Sequence, residues 1–182
     1  MSKGFLIGNV LGFQAVWFAA VIGAAKGLPW AGPVAAAAFA AVHLALSPDR
    51  RGDLRLLGIA LAMGLIADSA LAATDVLRFA SPWPSTSLAP VWILAMWAGF
   101  ALTLNHSMAF LRSKPLAAAL FGAIGGPLAY WGAWRGFDAV EFGLGLPLAM
   151  VALAVVWGIA MPALYALQGT APPARVGEGA AA

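Results

Sequence analysis

The stretch from Leu88 to Leu111 constrains the fold most, because it is apolar over the length of a membrane-spanning helix. A helix needs about 20 apolar residues to cross the hydrocarbon of a bilayer. The run contains, near one end, the polar triplet Asn105-His106-Ser107, which supplies an amide, an imidazole and a hydroxyl. Such groups are costly inside a membrane and usually serve a function. The stretch therefore predicts a membrane helix that carries part of a functional site.

The composition of the whole chain indicates a membrane protein. Hydrophobic residues make up 63% of the sequence and charged residues 9%, whereas soluble domains carry about 25% charged residues. With so few charges, the outer surface must face lipid. The chain has no cysteine, which excludes disulfides, thiolate metal sites and cysteine nucleophiles. Its ten Lys and Arg residues are scattered, so we expect no nucleic-acid partner.

Hydropathy along the chain predicts an all-α bundle of about six transmembrane helices. Residues 1–168 form this single domain, and the tail at 169–182, rich in Pro, Gly and Ala, is expected to be disordered and cytoplasmic. The first apolar run is longer than the core of a signal peptide, which has about 7 to 15 residues, so we expect it to be retained. The spans are expected near Gly4–Ala25, Gly32–Leu46, Leu54–Leu77, Leu88–Leu111, Leu116–Trp134 and Leu146–Leu167.

The distribution of basic residues predicts that both termini lie in the cytoplasm. Cytoplasmic loops of membrane proteins carry an excess of Lys and Arg. With the N-terminus inside, seven of the ten basic residues fall on the cytoplasmic side and three (Lys26, Arg78 and Arg135) on the outer side. The seven are Lys3, Arg50, Arg51, Arg55, Arg112, Lys114 and Arg175.

The glycines of the first span form a stripe of small residues. Gly4, Gly8 and Gly12 are spaced four residues apart, which places them along one face of a helix, and Gly122 and Gly126 repeat the spacing in the fifth span. Small residues allow another backbone to approach closely. We favour close packing within the monomer; a membrane-protein partner bound through Gly4, Gly8 and Gly12 is the alternative.

Buried polar residues fall into two layers when sequence position is converted to depth at about 1.5 Å per residue. The inner, cytoplasmic layer predicts a polar cavity within the bundle. Asp68, Asn105 and His106 are the candidate catalytic residues, and the other members are candidate binding residues. The inner layer contains Asn9, Gln14, His43, Asn105 and His106, and the outer layer contains Asp68 and Tyr130.

Asp68 is an acidic residue inside the third span. It shares a helical face with Gly64 and Asp75, and that face must point into the bundle to avoid leaving a carboxylate in lipid. Asp68 can serve as a proton relay, or it can be a permanently satisfied helix contact with Tyr130 as donor. Asp75 is expected at the outer headgroups, paired with Arg78.

Two further features favour structural explanations. His43 and His106 lie at similar depth, which suits a haem or one metal, but histidines commonly form hydrogen bonds between helices. We therefore assign no metal, and any cofactor remains unknown. The charged stretch at residues 47–53 is interpreted as a solvated loop beside anionic headgroups.

The glycines and proline at residues 125–127 predict that the fifth span is broken.

Three motifs carry a resemblance to a known family. They are GLPWAGP at residues 27–33, LNHS at 104–107 and GGPLAY at 125–130. In this order and spacing they resemble the bacterial inner-membrane proteins that contain domain of unknown function 2878, over about residues 4–167. The resemblance implies a small multi-pass inner-membrane protein and supplies no established activity or catalytic residue. It also implies, through genes that often neighbour members of the family, a connection with fatty-acyl modification.

Three functions fit these features. The first is an accessory or weakly catalytic component of membrane-lipid modification, in which His106 and Asn105 polarise a headgroup or acyl carbonyl of a lipid or lipid-like ligand and Asp68 relays a proton. The second is a small proton-coupled transporter or channel, with the broken fifth span as its gate. The third is a non-catalytic scaffold subunit of a membrane complex. Whether the protein is an enzyme remains open.

Overall fold

The structure, a computed structural model, describes residues 2–168 and consists mainly of helices. The tail predicted at 169–182 lies outside the described residues. The all-α prediction is confirmed, with two short strands in addition. The helices are α1 (Lys3–Ala25), α2 (Ala31–Leu46), α3 (Arg50–Ala73), α4 (Val91–Leu104), α5 (Pro115–Phe137) and α6 (Leu146–Leu167), with a single 3₁₀ turn at Ala109–Leu111; the strands are β1 (Arg78–Phe79) and β2 (Val140–Glu141).

The lengths and surfaces of the helices are those of a multi-pass membrane protein. Four of them, α1, α3, α5 and α6, are long and apolar enough to cross a membrane. Large apolar side chains point outward from these helices, and Ile66, Leu116 and Ile159 are 73%, 73% and 64% exposed. Extended apolar surfaces of this kind suit contact with lipid. The two other helices, α2 and α4, have 16 and 14 residues.

Helix α4 lies at the centre of the bundle. Most of its residues are buried, and it packs against α1, α2 and α3, while α5 pairs with α6. The span predicted near Leu88–Leu111 agrees with the observed start to within one helical turn but extends past the observed end at Leu104. Pro90 is the N-cap, so the helix begins at Val91. Beyond Leu104 the backbone closes tight turns instead of continuing the α-helix, since the amides of His106 and Met108 both donate to the Thr103 carbonyl.

Successive helices run in opposite directions, so alternate helix ends lie on the same side of the bundle. The starts of α1, α3 and α5 and the ends of α2, α4 and α6 lie on what we call the N-terminal side. Arg55 near the start of α3 donates to the Leu167 carbonyl at the end of α6, which joins two of these ends. On the opposite side, β1 and β2 pair antiparallel, with Arg78 opposite Glu141.

The fifth helix is continuous, so the prediction of a broken span is wrong. Residues 115–137 form one α-helix with Pro127 inside it. The neighbouring glycines serve helix packing instead. A Cβ atom at Gly122 would overlap the Trp157 carbonyl, and one at Gly126 would overlap the Trp157 indole. Their small size therefore allows α6 to lie directly against α5.

The glycine stripe of α1 packs within the monomer at only one of its three positions. A Cβ atom at Gly12 would lie 2.5 Å from the Phe39 ring on α2. At Gly4 and Gly8 the same atom would meet nothing within 4 Å. The expectation of close intramolecular packing is therefore wrong for Gly4 and Gly8, because α1 and α2 diverge there and leave a groove.

Candidate functional site

Asp53 is the centre of a buried polar cluster on the N-terminal side. Asp49 caps α3 by accepting from the Gly52 amide at 3.0 Å. The helix consequently starts early enough to place Asp53 in its first turn, where it is 0% exposed. One carboxylate oxygen of Asp53 accepts from the Ser47 hydroxyl at 2.6 Å and lies 3.1 Å from His43 Nε2. His106 Nε2 lies 2.9 Å from both oxygens.

The side chain of Asn9 on α1 extends the cluster away from Asp53. Its amide nitrogen lies 3.2 Å from His43 Nδ1 and donates to the Leu102 carbonyl at 2.9 Å. Its amide oxygen accepts from the Ser107 hydroxyl at 2.6 Å. Asn9 is 2% exposed. All of its polar atoms are thus paired, as expected for a buried amide.

Asn105 connects the buried carboxylate to a surface cation. Its amide nitrogen donates to Asp53 Oδ1 at 3.3 Å, and its amide oxygen accepts from the Arg112 guanidinium at 2.6 Å. Arg112 is exposed. The cluster combines side chains on or next to α1, α2, α3 and α4, and it reaches the surface through the Asn105 amide.

The two imidazoles lie against each other beside the carboxylate. The rings of His43 and His106 have centroids 4.7 Å apart, and the Phe5 ring packs on both, at 5.5 and 5.3 Å. One potential ligand atom each from His43, Asp53 and His106 lies within 4.8 Å of the others. Two imidazole nitrogens and one carboxylate oxygen can form a hydrogen-bond network, or they can be the ligands of a metal ion.

A groove between α1 and α2 leads to this cluster. Its volume is about 1040 Å³, and it opens where Gly4 and Gly8 leave space. Its walls are small and apolar for most of their length, while Asn9 and His43 contribute polar atoms. The outer wall includes Val42, which is 62% exposed. The groove therefore lies on the lipid-facing surface and touches the buried cluster from outside.

The structure brings together most, but not all, of the predicted inner layer. Asn9, His43, Asn105 and His106 belong to one network. Gln14 does not, because it is exposed and lines a different cavity.

Sequence reasoning missed Asp53 and Ser47, which were assigned to a solvated loop. That interpretation is wrong for both, since they are 0% and 9% exposed. The signal that points to them is Asp49, a residue type that is common at helix N-caps. Gly52, three residues later, leaves room for the Asp49 side chain. This signal predicts a helix start at residue 50, inside the stretch treated as a loop, and hence an inward-facing position for Asp53.

The predicted outer layer is a second, separate cluster around Asp68. Tyr130 donates its hydroxyl to one carboxylate oxygen, and the Trp97 indole donates to the other at 2.7 Å. Trp97 stacks on Trp157 with centroids 4.4 Å apart and planes 13° apart. The inward orientation of Asp68 and its contact with Tyr130 agree with the sequence. None of the hydrogen bonds described for Asp68 reaches the cluster around Asp53.

A second cavity lies on the other side of α1. It has a volume of about 520 Å³ between α1, α4, α5 and α6, and Trp97, Tyr130 and Trp157 form part of its wall. Gln14 and Ser107 line it as well. Since Ser107 also donates to Asn9, which lines the groove, one hydrogen bond connects the linings of the two cavities.

Asp75 and Arg78 form the exposed pair that their spacing predicts. The guanidinium of Arg78 donates two hydrogen bonds of 2.7 Å to the carboxylate. These hydrogen bonds hold the pKa of Asp75 below its ordinary value and raise the pKa of Arg78. The pair is a surface contact at the end of α3 and not part of either cluster.

Comparison with known proteins identifies one family. Residues 6–163 match the family described as "Protein of unknown function (DUF2878)". The searches of curated proteins and of solved structures gave no significant match. The match covers all six helices almost completely, including every residue of the Asp53 cluster, so the chain belongs to the DUF2878 family.

Proposed function

We propose that this protein binds a membrane lipid in the groove between α1 and α2 and holds the polar part of that lipid against the Asp53 cluster. We place it in the bacterial inner membrane, as an accessory or weakly catalytic component of fatty-acyl modification. The observation that carries the proposal is the continuity between a lipid-facing apolar groove and a buried set of hydrogen-bonding groups. Asn9 and His43 belong to both.

The size and lining of the groove fit an acyl chain. Ligand pockets commonly have volumes of about 300–1,000 Å³, and this groove reaches about 1040 Å³. An acyl chain needs a long apolar surface without bulky projections. The groove supplies such a surface through small residues on both helices, which are Gly4, Gly8, Gly12, Ala15, Ala35 and Ala38.

The charges around the mouth of the groove favour an anionic headgroup. Lys3, at the start of α1, and Arg50 and Arg51, at the start of α3, are exposed on the N-terminal side, next to the polar end of the groove. Basic residues near a membrane surface attract anionic lipids, with a contribution of about 1 kcal/mol for each residue. A phosphatidylglycerol-like lipid is therefore the expected ligand.

Within the proposed site, the polar residues orient the bound lipid. Ser47, Asn105 and the two imidazoles donate to Asp53, which keeps these side chains in one geometry. Asn9 and His43 line the groove and are the residues that would contact a headgroup or acyl carbonyl. His106 and Asn105 are not among the groove-lining residues, so their role in this proposal is to hold Asp53 and, through it, His43. Asp68 lies in the other cluster and has no part in the proposal.

Transport is the weaker alternative on this structure. The proposed gate depended on a break in the fifth span, and α5 is continuous through Pro127. Asp68 is already bound by Trp97 and Tyr130. Lipid binding requires no conformational change, because the groove is already open.

Photo-crosslinking in nanodiscs tests the proposal. The protein is reconstituted with phosphatidylethanolamine and a phosphatidylglycerol that carries a diazirine on one acyl chain, and labelled peptides are mapped by mass spectrometry. We expect labelling to concentrate on Ala35, Ala38 and Phe39 in the groove wall. Gly8→Leu would fill the groove and should remove most of this labelling.

Gly58→Leu is the matched control. Gly58 lies on an exposed face of α3, and a Cβ atom there also meets nothing within 4 Å. This variant should keep the wild-type labelling pattern. Equal labelling of the groove and of other lipid-facing residues, such as Ile124 and Val151, would contradict the proposal. A dimer that native mass spectrometry detects and Gly8→Leu dissociates would instead assign the groove to a second copy of the chain.

A further inference from the structure

The cluster around Asp53 has the donor set of a metal centre. His43, Asp53 and His106 are 3%, 0% and 5% exposed, and they come from the end of α2, the start of α3 and the turn after α4. Two imidazole nitrogens and one carboxylate oxygen bind the catalytic zinc of several hydrolases and the Fe(II) of non-haem oxygenases. The chain has no cysteine, so no thiolate site within it can compete with these residues for the metal ion.

The distances within the cluster also suit coordination. With metal–ligand bonds of about 2.0–2.1 Å, neighbouring ligand atoms lie about 3.0 Å apart in octahedral geometry and about 3.4 Å apart in tetrahedral geometry. His106 Nε2 lies 2.9 Å and His43 Nε2 lies 3.1 Å from the nearest oxygen of Asp53. One such atom from each of the three residues lies within 4.8 Å of the others. Small side-chain movements are enough to place an ion between them.

We propose that His43, Asp53 and His106 bind one divalent transition-metal ion, with two nitrogen ligands and one carboxylate ligand. Three protein ligands leave at least one position for water or a ligand oxygen, as in catalytic zinc sites. Ser47, 2.6 Å from Asp53 Oδ2, and Asn105, 3.3 Å from Oδ1, hold the carboxylate in place. Such supporting hydrogen bonds orient metal ligands and tune the affinity of the site.

Binding of the ion requires a change of tautomer at His43. In the metal-free protein Asn9 donates to Nδ1, so the proton of a neutral His43 lies on Nε2 and faces Asp53. A metal-bound Nε2 has no proton, so the proton moves to Nδ1. The Asn9 amide must then turn to offer its oxygen as acceptor, which breaks its hydrogen bond to the Leu102 carbonyl. His43 therefore changes tautomer when the ion binds.

This inference concerns three side chains and does not depend on lipid binding. A Cβ atom at Gly8 meets nothing within 4 Å, so the Gly8→Leu variant, which fills the lipid groove, leaves the three ligands in place. It should bind metal as the wild type does. If Gly8→Leu abolishes lipid labelling and retains metal binding, the two proposals are independent. If the wild-type protein fails to bind lipid, or fails to bind metal, that result contradicts only the proposal concerned.

Cobalt titration tests the metal site. The full-length protein, purified in detergent and stripped with a chelator, is titrated with Co²⁺, whose visible absorption bands report nitrogen and oxygen ligands, and the bound Co²⁺ is displaced with Zn²⁺. We expect one equivalent per chain. His43→Gln and His106→Gln keep a hydrogen-bond donor near Asp53 but remove an imidazole ligand. Each should weaken binding more than about 100-fold, beyond the 10- to 100-fold cost of losing a supporting hydrogen bond.

Asp68→Asn is the control, because it changes another buried carboxylate that lies outside the cluster. It should bind Co²⁺ with unchanged affinity and the same absorption bands. Nitrogen-15 NMR of histidine-labelled protein adds a second measurement, since Zn²⁺ should move the His43 proton from Nε2 to Nδ1. Absence of stoichiometric binding, or binding that both glutamine variants retain at wild-type affinity, would overturn the proposal.

Discussion

The amide nitrogen of Asn9 lies 3.2 Å from Nδ1 of His43 and thereby favours the tautomer whose proton lies on Nε2, the nitrogen that faces Asp53. The same nitrogen donates to the Leu102 carbonyl, and the amide oxygen accepts from Ser107, so the orientation of the amide follows from its neighbours. With Nδ1 as acceptor, the proton lies on Nε2 and donates to the carboxylate. One α1 side chain thus determines which nitrogen of a histidine on α2 carries the proton.

The first prediction concerns this tautomer in metal-free protein. Asn9→Leu removes the donor to Nδ1, so we expect the Nδ1–H form of His43 to become populated. Nitrogen-15 spectra of histidine-labelled protein distinguish the two tautomers, and His106→Gln assigns the signals. Asn105→Leu is the control, because Asn105 contacts Asp53 and not His43 in the described network. A dominant Nδ1–H form in the metal-free wild type would contradict the assignment.

The second prediction concerns the stability that depends on Asp53. Asp53→Leu leaves the donors of His43, His106 and Ser47 without their acceptor in a buried site. Leaving a buried donor unsatisfied costs about 1–3 kcal/mol for each group, so we expect a loss of several kcal/mol in denaturant unfolding of the detergent-solubilised protein. Asp49→Ala removes only the cap of α3 and should cost about 0.5–2 kcal/mol. Equal losses would mean that Asp53 is not the centre of the network.

The third prediction separates two adjacent glycines of α5. A Cβ atom at Gly126 would overlap the Trp157 indole, whereas one at Gly125 would lie 3.8 Å from Phe121. Gly126→Ala should therefore destabilise the protein by about 1–3 kcal/mol through overpacking. Gly125→Ala should be neutral or slightly stabilising, since alanine favours helix over glycine. Thermal unfolding followed by tryptophan fluorescence compares the two, and similar melting temperatures would contradict the contact.

The fourth prediction compares the two tyrosines. Tyr130 donates to the buried carboxylate of Asp68, whereas Tyr165 donates to the Met108 carbonyl at 2.8 Å. Hydrogen bonds to charged groups contribute about 1.5–3 kcal/mol and those between neutral groups about 0.5–1.5 kcal/mol. Tyr130→Phe should therefore cost more than Tyr165→Phe in unfolding measurements. A smaller loss for Tyr130→Phe would show that this hydroxyl does not support the carboxylate.

The fifth prediction concerns the exposed pair at the end of α3. Hydrogen bonds from Arg78 hold the pKa of Asp75 below its ordinary value. The contribution of the pair is therefore present above the unfolded pKa, about 3.9, and is lost as pH falls through the lowered value. Arg78→Gln should raise the pKa of Asp75 toward that ordinary value in an NMR titration of the carboxyl group. Glu141→Gln, which leaves both hydrogen bonds intact, should keep it lowered.

The helices and the inward direction of the polar groups could be predicted from the sequence, because hydrocarbon penalises an exposed amide, imidazole or carboxylate strongly. That argument placed Asn9, His43 and His106 at one depth and Asp68 with Tyr130 at another, as the structure has them. It does not indicate which way Gln14 points, since a single amide near other helices can turn to several neighbours. Depth in the membrane therefore predicts the two polar layers but not the partner of every residue in them.

The centre of the site could not be predicted in this way, because Asp53 occurs in the most charged stretch of the chain and hydropathy treats such a stretch as solvated. Only the capping hydrogen bond from Gly52 to Asp49 indicates that α3 begins before Leu54. The break predicted at Pro127 failed for a related reason. A proline removes one hydrogen bond, and the packing of α5 on α6 through Gly122 and Gly126 is sufficient to keep the helix continuous.

The shortness of α2 has a consequence for the bilayer beside it. Its 16 residues rise about 24 Å at 1.5 Å per residue, less than the roughly 30 Å of a typical hydrocarbon layer. Where α2 crosses the membrane, thinning of the surrounding leaflets accommodates such a mismatch. Thinning at this helix would draw phosphate groups and their water inward along the face where α2 meets α1, toward the depth of His43. A polar ligand would then approach from the membrane plane without crossing the full thickness of the hydrocarbon layer.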